Sequence, residues 1–186
     1  MLMERRRAMM GAAKSEQGLP AEYQQVEWIQ NSSDAFPKNS NYIVTDVLAN
    51  PTTRADFKLM KLRQTTAGPM IISSRKSSPF GALDNSQSAY VCTPSYTVGQ
   101  AINEILEVSF TKSVSGSGNV TLFSWGNTAF CCGIRCYYAK IYHGSTMVFD
   151  GVPVYRKADG AIGLFNIVTQ TFCAGTSIYT KGPDVT

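Results

Sequence analysis

Short runs with a two-residue period, separated by turn-forming residues, most constrain how this chain can fold. In residues 54–62, Phe57 and Leu59 would face one way while Asp56 and Lys58 face the other, as alternate side chains of a strand do. Turn signals recur about every 8 to 12 residues, a spacing typical of all-β sandwiches. No internal repeat of ~20–50 residues is visible, which disfavours a propeller or a solenoid. The pattern predicts an all-β antiparallel fold.

For three segments the sequence predicts either the conformation or which side chains share one face of a strand. Residues 103–110 could form a helix or a strand, but Ile105 and Leu106 are adjacent rather than helically spaced, so we predict a strand. In residues 23–29, alternation places Val26 and Trp28 on the inward face, and we expect Trp28 in the core. Residues 134–142 form the clearest strand, and strict alternation gives it a single face. That face would carry Ile134, Cys136, Tyr138, Lys140 and Tyr142.

Composition limits the class of protein. The chain has 186 residues, 44% of them hydrophobic and 16% charged, which fits one globular domain with a core. The net charge of +4 comes largely from three adjacent arginines, so we expect no nucleic-acid partner. The longest apolar runs are too short for a membrane span or a signal-peptide core. We therefore expect synthesis in a cytoplasm, and free, mostly buried thiols for the five cysteines.

Residues 1–18 differ from the rest of the chain and form an N-terminal arm, while residues 19–186 form the domain. The arm is rich in Met, Arg and Ala, which favour a short helix that would be marginal alone. A solvated tail is one interpretation. We favour an anchor, in which methionines dock into a partner's groove and arginines pair with its carboxylates. The anchoring residues would be Arg5, Arg6, Arg7, Met9 and Met10.

The two ends of the domain carry a family resemblance. Residues 19–29 read Leu-Pro-Ala-Glu-Tyr-Gln-Gln-Val-Glu-Trp-Ile, and residues 154–165 read Val-Tyr-Arg-Lys-Ala-Asp-Gly-Ala-Ile-Gly-Leu-Phe. Together with residues 138–142 and 179–185, they resemble the opening and closing strands of laminin-G-like, concanavalin A-like domains. Such domains occur in phage, prophage and gut-bacterial proteins. The resemblance implies an antiparallel jelly-roll β-sandwich over residues 19–185.

Catalytic signatures are weak in this chain. The glucanases of that fold use paired carboxylates in a Glu-x-Asp-x-x-Glu pattern, one as nucleophile and one as acid, and no such triplet occurs here. The nearest pair, Glu104 and Glu107, would point to opposite faces of a strand. The sole histidine, His143, precedes Gly144 in a predicted turn, where a solvated role is commoner than a catalytic one. We expect no enzymatic activity and assign no catalytic residue.

Metal binding is not favoured either, although calcium stays open. Three cysteines, Cys131, Cys132 and Cys136, could bind zinc, but their spacing is not that of a zinc knuckle. The laminin-like branch often binds calcium at a rim through Asp and Asn oxygens. Turn residues of that type could supply a structural calcium site here. They are Asp34, Asp46, Asp84, Asn85 and Asp150.

Glycan binding would need aromatic platforms beside planar polar groups. The strongest candidate is Trp125, with Asn127 two residues later in a predicted loop. Tyr90 and Tyr96 are further candidates, followed by Tyr42. A sandwich core also consumes aromatic side chains, so rim contact and packing both remain open for Trp125.

The resemblance and the arm together lead to a functional expectation. We expect a non-enzymatic phage virion structural protein, either a head-decoration or a tail-associated protein. Its arm would contact other virion proteins, and the protein would be a homo-oligomer on the particle. Display of the sandwich would serve binding of host or mucosal glycans, because many weak contacts on one particle add up. The alternative is a free lectin-like module of a bacterial or prophage protein.

Overall fold

The computed structural model describes residues 18–31, 42–62, 70–74, 78–82, 92–93, 102–111, 118–123, 133–175 and 179–186. Fourteen strands are formed within these ranges. In chain order they are β1 (Tyr23–Gln25), β2 (Ile29–Asn31), β3 (Ile43–Leu48), β4 (Thr53–Lys61), β5 (Met70–Ser74), β6 (Ser78–Ala82), β7 (Cys92–Thr93), β8 (Ile105–Thr111), β9 (Asn119–Leu122), β10 (Ile134–His143), β11 (Thr146–Arg156), β12 (Ile162–Asn166), β13 (Thr171–Ala174) and β14 (Tyr179–Lys181).

The strands form two antiparallel sheets that pack as a β-sandwich. The large sheet has ten strands with the central order β13-β12-β11-β10-β4-β8-β7; in addition, β1 pairs with β11, β2 pairs with β10, and β14 pairs with β2. The small sheet has the order β3-β9-β5-β6. The described ranges contain strands and turns but no helix. They therefore include no helix that is long and apolar enough to cross a membrane. The prediction of an all-β antiparallel sandwich is confirmed.

The core lies between the inner faces of the two sheets, where period-two patterns were clearest. In β4, every second residue from Thr53 to Lys61 is buried, and in β8 Leu106, Val108 and Phe110 are buried. Phe57 has its ring edge-on to that of Phe110, with the ring centroids 5.7 Å apart. Burying one such side chain contributes about 1.5–3 kcal/mol. The choice of a strand for residues 103–110 is confirmed by β8.

The predicted single face of β10 is wrong, because a β-bulge changes its alternation. Opposite β4, Cys136 pairs with Leu59 and Tyr138 pairs with the preceding residue, Lys58, which leaves Tyr137 as the additional residue. Such an insertion reverses which side chains face the core beyond it. Before the bulge the buried residues are Ile134 and Cys136; after it they are Ala139 and Ile141. Tyr138, Lys140 and Tyr142 are therefore only half-buried and lie on the outer face.

The expected burial of Trp28 is also wrong. Val26, 1% exposed, is buried as predicted, but the chain bends at Glu27, and Ile29, also 1% exposed, enters the core in place of Trp28. Trp28 is half-buried, and the guanidinium of Arg135 stacks over its ring at 4.0 Å from the centroid. The bend breaks the two-residue period, so the residue after Trp28 takes the inward position.

The two ends of the domain pair with each other. β14 runs antiparallel to β2, with Tyr179 opposite Asn31 and Lys181 opposite Ile29. The pairing continues beyond the strands, because the amide of Val185 donates to the carbonyl of Gln25 over 3.0 Å. The structure thus brings together the opening and closing segments on which the family resemblance rests.

Two cysteines are described with their side chains, and both are buried free thiols, as predicted. Burial raises the pKa of Cys136 well above its usual range. Burial, with a smaller effect of the nearby Asp46 charge, raises the pKa of Cys173 to about 11. Both thiols therefore remain protonated and behave as small core side chains.

Candidate functional site

The outer face of the large sheet carries a group of aromatic and charged side chains along β10 and β4. We call it the tyrosine face and define it by Tyr138, Lys140 and Tyr142 of β10 with Arg54 and Lys58 of β4. The register places Lys58 beside Tyr138 and Arg54 beside Tyr142. Phe57 and Ala55, the alternate residues of β4, are fully buried, so the side chains of the tyrosine face must point away from the core.

One end of the tyrosine face is organised around Arg54. Its guanidinium lies over the Tyr142 ring, 4.3 Å from the centroid, and forms a 3.2 Å ion pair with Asp56. Asp56 also accepts a 2.8 Å hydrogen bond from the hydroxyl of Ser109 on β8. The stacking and the ion pair together restrain a planar group with several donors, with the Arg54 side chain 41% exposed.

The other end is organised around the bulge. The ammonium of Lys58 lies 5.9 Å from the centre of the Tyr137 ring, and that of Lys140 lies 5.4 Å from the centre of the Tyr138 ring. Lys140 also approaches Asp150 of β11 at 3.9 Å. The bulge therefore adds a second tyrosine beside the lysines, and cation–π contacts orient both rings.

The pKa of Tyr138 is raised by partial burial and, to a smaller extent, by the negative charges of Glu107 and Asp56. Its hydroxyl therefore stays protonated at neutral pH and above. A protonated phenol both donates and accepts hydrogen bonds. This side chain can thus offer a ligand an apolar ring and a two-way polar group together.

Charge on this face is balanced. The cations Arg54, Lys58 and Lys140 are accompanied by three carboxylates on the same rows of the sheet. These carboxylates are Asp56, Glu107 and Asp150. A balanced field attracts neither polyanions nor polycations strongly. Rings, donors and acceptors on one surface are instead suited to an uncharged, hydroxyl-rich ligand.

Most residues predicted from the sequence as site residues lie outside the described ranges. The glycan candidates Trp125, Asn127, Tyr90 and Tyr96 lie there, as do Cys131 and Cys132 of the zinc alternative. So do the arm residues Arg5, Arg6, Arg7, Met9 and Met10, and the calcium candidates Asp34, Asp84 and Asn85. Their predictions therefore stay predictions. Tyr42 is described and half-buried.

The described calcium candidates, Asp46 and Asp150, have hydrogen-bonding or ionic partners in the protein. Asp46 accepts hydrogen bonds from the Nδ2 group of Asn166 at 3.2 and 3.3 Å and from the hydroxyl of Thr169. Asp150 faces Lys140. Over the ranges that the structure describes, no three His, Cys, Asp or Glu side chains are grouped so that they could hold a metal ion.

His143 ends β10 opposite Thr53 and Thr146. Its Nε2 atom is buried and has no hydrogen-bond partner among the described residues. Glu104 precedes β8, and Glu107 lies on its outer face; both are exposed. His143 is therefore the final residue of a strand rather than part of the predicted turn.

Sequence reasoning missed the tyrosine face, although every residue in it was visible. Strict alternation grouped Tyr138, Lys140 and Tyr142 correctly with each other but placed them beside Cys136 on one face. Two adjacent tyrosines at positions 137 and 138 were the available signal of an irregularity.

Comparisons of this chain with protein-family models, with curated proteins and with solved structures find no match.

Proposed function

We propose that this protein is a non-enzymatic binding domain that holds uncharged, hydroxyl-rich glycans on the tyrosine face. The observation that carries the proposal is the bulge at Tyr137, which turns three consecutive alternate side chains of β10 outward beside Arg54 and Lys58. Without the bulge, Tyr138 would occupy an inward position.

The dimensions of the face suit an extended ligand. Tyr138 and Tyr142 are four residues apart on one strand, which corresponds to about 13 Å at ~3.3 Å per residue. Neighbouring strands add about 4.8 Å each across the face. The proposed ligand therefore lies along β10, with its apolar ring faces against the tyrosines and its hydroxyls toward Arg54, Lys140 and the carboxylates.

Titration of the full chain with a panel of neutral and sulfated oligosaccharides would test this proposal. We expect millimolar or tighter binding of neutral oligosaccharides, and loss of at least tenfold in affinity on Tyr138→Ala or Tyr142→Ala. Leu48→Ala is the matched control, because Leu48 is 62% exposed on the small sheet and lies away from the face. Equal binding by the tyrosine variants and the control would refute the assignment of the site. Stronger binding of the sulfated sugars would refute the ligand class.

For the biological setting we propose display on a phage particle, as a head-decoration or tail-associated protein held by residues 1–18. The support is the resemblance of the domain's two ends and the Met- and Arg-rich sequence of the arm. Many copies on one particle would make weak glycan contacts effective. The competing hypothesis is a free lectin-like module, in which the arm is dispensable.

Light scattering of the full chain beside a chain beginning at Gly18 separates the two settings. Self-association that is lost on truncation, with an unchanged melting temperature, supports an assembly role for the arm. If the full chain is monomeric, or if truncation leaves its oligomeric state unchanged, homo-oligomerisation through the arm is refuted. Glycan binding by the domain is tested independently of this result.

A further inference from the structure

The beginning of β8 presents an apolar side chain between two carboxylates. Ile105 is 52% exposed, and it pairs across the sheet with the half-buried Met60 of β4. Glu104 precedes it, and Glu107 follows it on the same outer face; both are exposed. We call these four residues the acidic patch.

The carboxylates of the acidic patch form no ion pair within the described residues, although Glu107 lies opposite Lys58 of β4 in the register. Within the described residues, the ion pairs involve Asp56, Asp150, Asp159 and Asp184, and neither Glu104 nor Glu107 takes part. An exposed isoleucine between two carboxylates without ion-pair partners is suited to a segment that offers both apolar and cationic side chains.

We propose that the acidic patch binds the arm of its own chain, with arginines from Arg5–Arg7 on Glu104 and Glu107 and a methionine against Ile105. The arm has the complementary chemistry, because three arginines lie between Met3 and Met9. Methionine is flexible and polarisable and packs readily on irregular apolar surfaces.

The length of the arm permits this docking within one molecule. Seventeen residues precede Gly18, and fully extended they would span about 56 Å at ~3.3 Å per residue. Arg5–Arg7 lie 11 to 13 residues before Gly18, a reach of about 36–43 Å. β8 lies three strands from β11, with which β1 pairs, or about 14 Å across the sheet. Tethering also gives the arm a millimolar effective concentration at the patch, which favours its own domain over a second copy in dilute solution. Docking would shield the residues proposed above to anchor the protein until a partner competes for them.

Limited trypsin digestion of the full chain, followed by mass spectrometry of the first N-terminal cleavages, tests this inference. Cleavage in the rapid-opening regime follows the fraction of undocked arm. We expect wild-type cleavage after Arg5–Arg7 to be about tenfold slower than in Ile105→Ser, as for an arm docked about nine-tenths of the time. The variant Glu104→Gln/Glu107→Gln, which retains the shape of both side chains, should also be cleaved faster than wild type.

Val168→Ser is the matched control, because Val168 is 45% exposed in the turn after β12 and the same side chain is introduced there. It should be cleaved at the wild-type rate. Melting curves verify that each variant is folded. Equal cleavage of wild type and both patch variants would overturn the proposal. Protection that increases with protein concentration would overturn docking within one molecule, since the arm would then bind a second copy.

Discussion

Replacing Asn166 with alanine should destabilise the whole sandwich, because this one side chain connects three segments. Asn166 is fully buried at the end of β12. Its Oδ1 atom accepts 3.0 Å hydrogen bonds from the amides of Asp150 and Val168. Its Nδ2 group donates to both carboxylate oxygens of Asp46 on β3 and, at 3.3 Å, to the carbonyl of Val148. It therefore links the small sheet to β11 and to the β12–β13 turn.

The magnitude follows from the groups that lose a partner in Asn166→Ala. A buried amide without an acceptor costs about 1–3 kcal/mol, and the amide of the half-buried Asp150 loses its acceptor in this variant. The amide of Val168 lies in an exposed residue, so water can replace much of its bond. The carboxylate of Asp46 loses a charge-assisted donor but regains water. We expect a loss of about 2–4 kcal/mol, or roughly 5–12 °C in melting temperature for a chain of this length.

Asn166→Asp separates the accepting role of the Asn166 side chain from its donating role. It keeps the acceptor for the amides of Asp150 and Val168, but it replaces the donor with a carboxylate about 3 Å from that of Asp46. Two ionised carboxylates at that distance repel each other. The destabilisation relative to wild type should therefore be present at neutral pH and diminish as pH falls and one carboxyl becomes protonated.

Equilibrium urea unfolding at pH 7 and pH 4.5 measures both effects, with wild type compared at each pH. Thr169→Val is the control, because it removes only an exposed hydroxyl bonded to Asp46, and its effect should stay below about 1 kcal/mol. A value for Asn166→Ala within about 0.5 kcal/mol of wild type would refute the argument, since that range is typical of unconnected surface positions.

Two further predictions concern the β11–β13 region. Gly163→Ala should lower the free energy of unfolding by about 1–3 kcal/mol, because the added Cβ would lie 2.2 Å from the backbone carbonyl oxygen of Cys173. Gly18→Ala is the control, because Gly18 has open space around it and the change should be neutral. Equal melting temperatures for the two variants would contradict the prediction for Gly163. Arg156 lowers the pKa of Asp159 to about 2 through a side-chain hydrogen bond. The contribution of this contact to stability should therefore be complete above the ordinary carboxyl pKa and be lost as pH falls toward 2. An NMR titration of the Asp159 carboxyl with a midpoint near 4 would disprove this prediction.

Much of the fold was predictable from local pattern. Residues 54–59 alternate in burial as their sequence alternates in polarity, because a strand packed on one face needs that period. Residues 43–48 also alternate in burial, but there polarity does not follow, since Val44 and Leu48 are exposed and Thr45 is buried. The strand at Ile105–Thr111 was likewise predictable from adjacent apolar residues that fit no helix. Local periodicity sufficed in β4 and β8, where polarity and burial alternate together over most of the strand.

The candidate site was not predictable in the same way. The outward position of Tyr138 depends on its register with Lys58, which lies 80 residues earlier in the printed sequence. The sequence of β10 alone is compatible with either face. The glycan candidates near Trp125 and the anchoring arm lie outside the described residues, so their part in binding stays a prediction from sequence.

By itself the sequence determined the class of fold, the positions of most strands and the distinct chemistry of the arm, since these depend on composition and short-range period. The tertiary structure alone decided that Ile29 rather than Trp28 is buried, that Asn166 connects the two sheets, and that the tyrosines of β10 face solvent. Each of these depends on a bend, a bulge or a contact between distant segments. Such features are selected by the packing of the whole core, because a one-residue shift changes which side of a strand faces it.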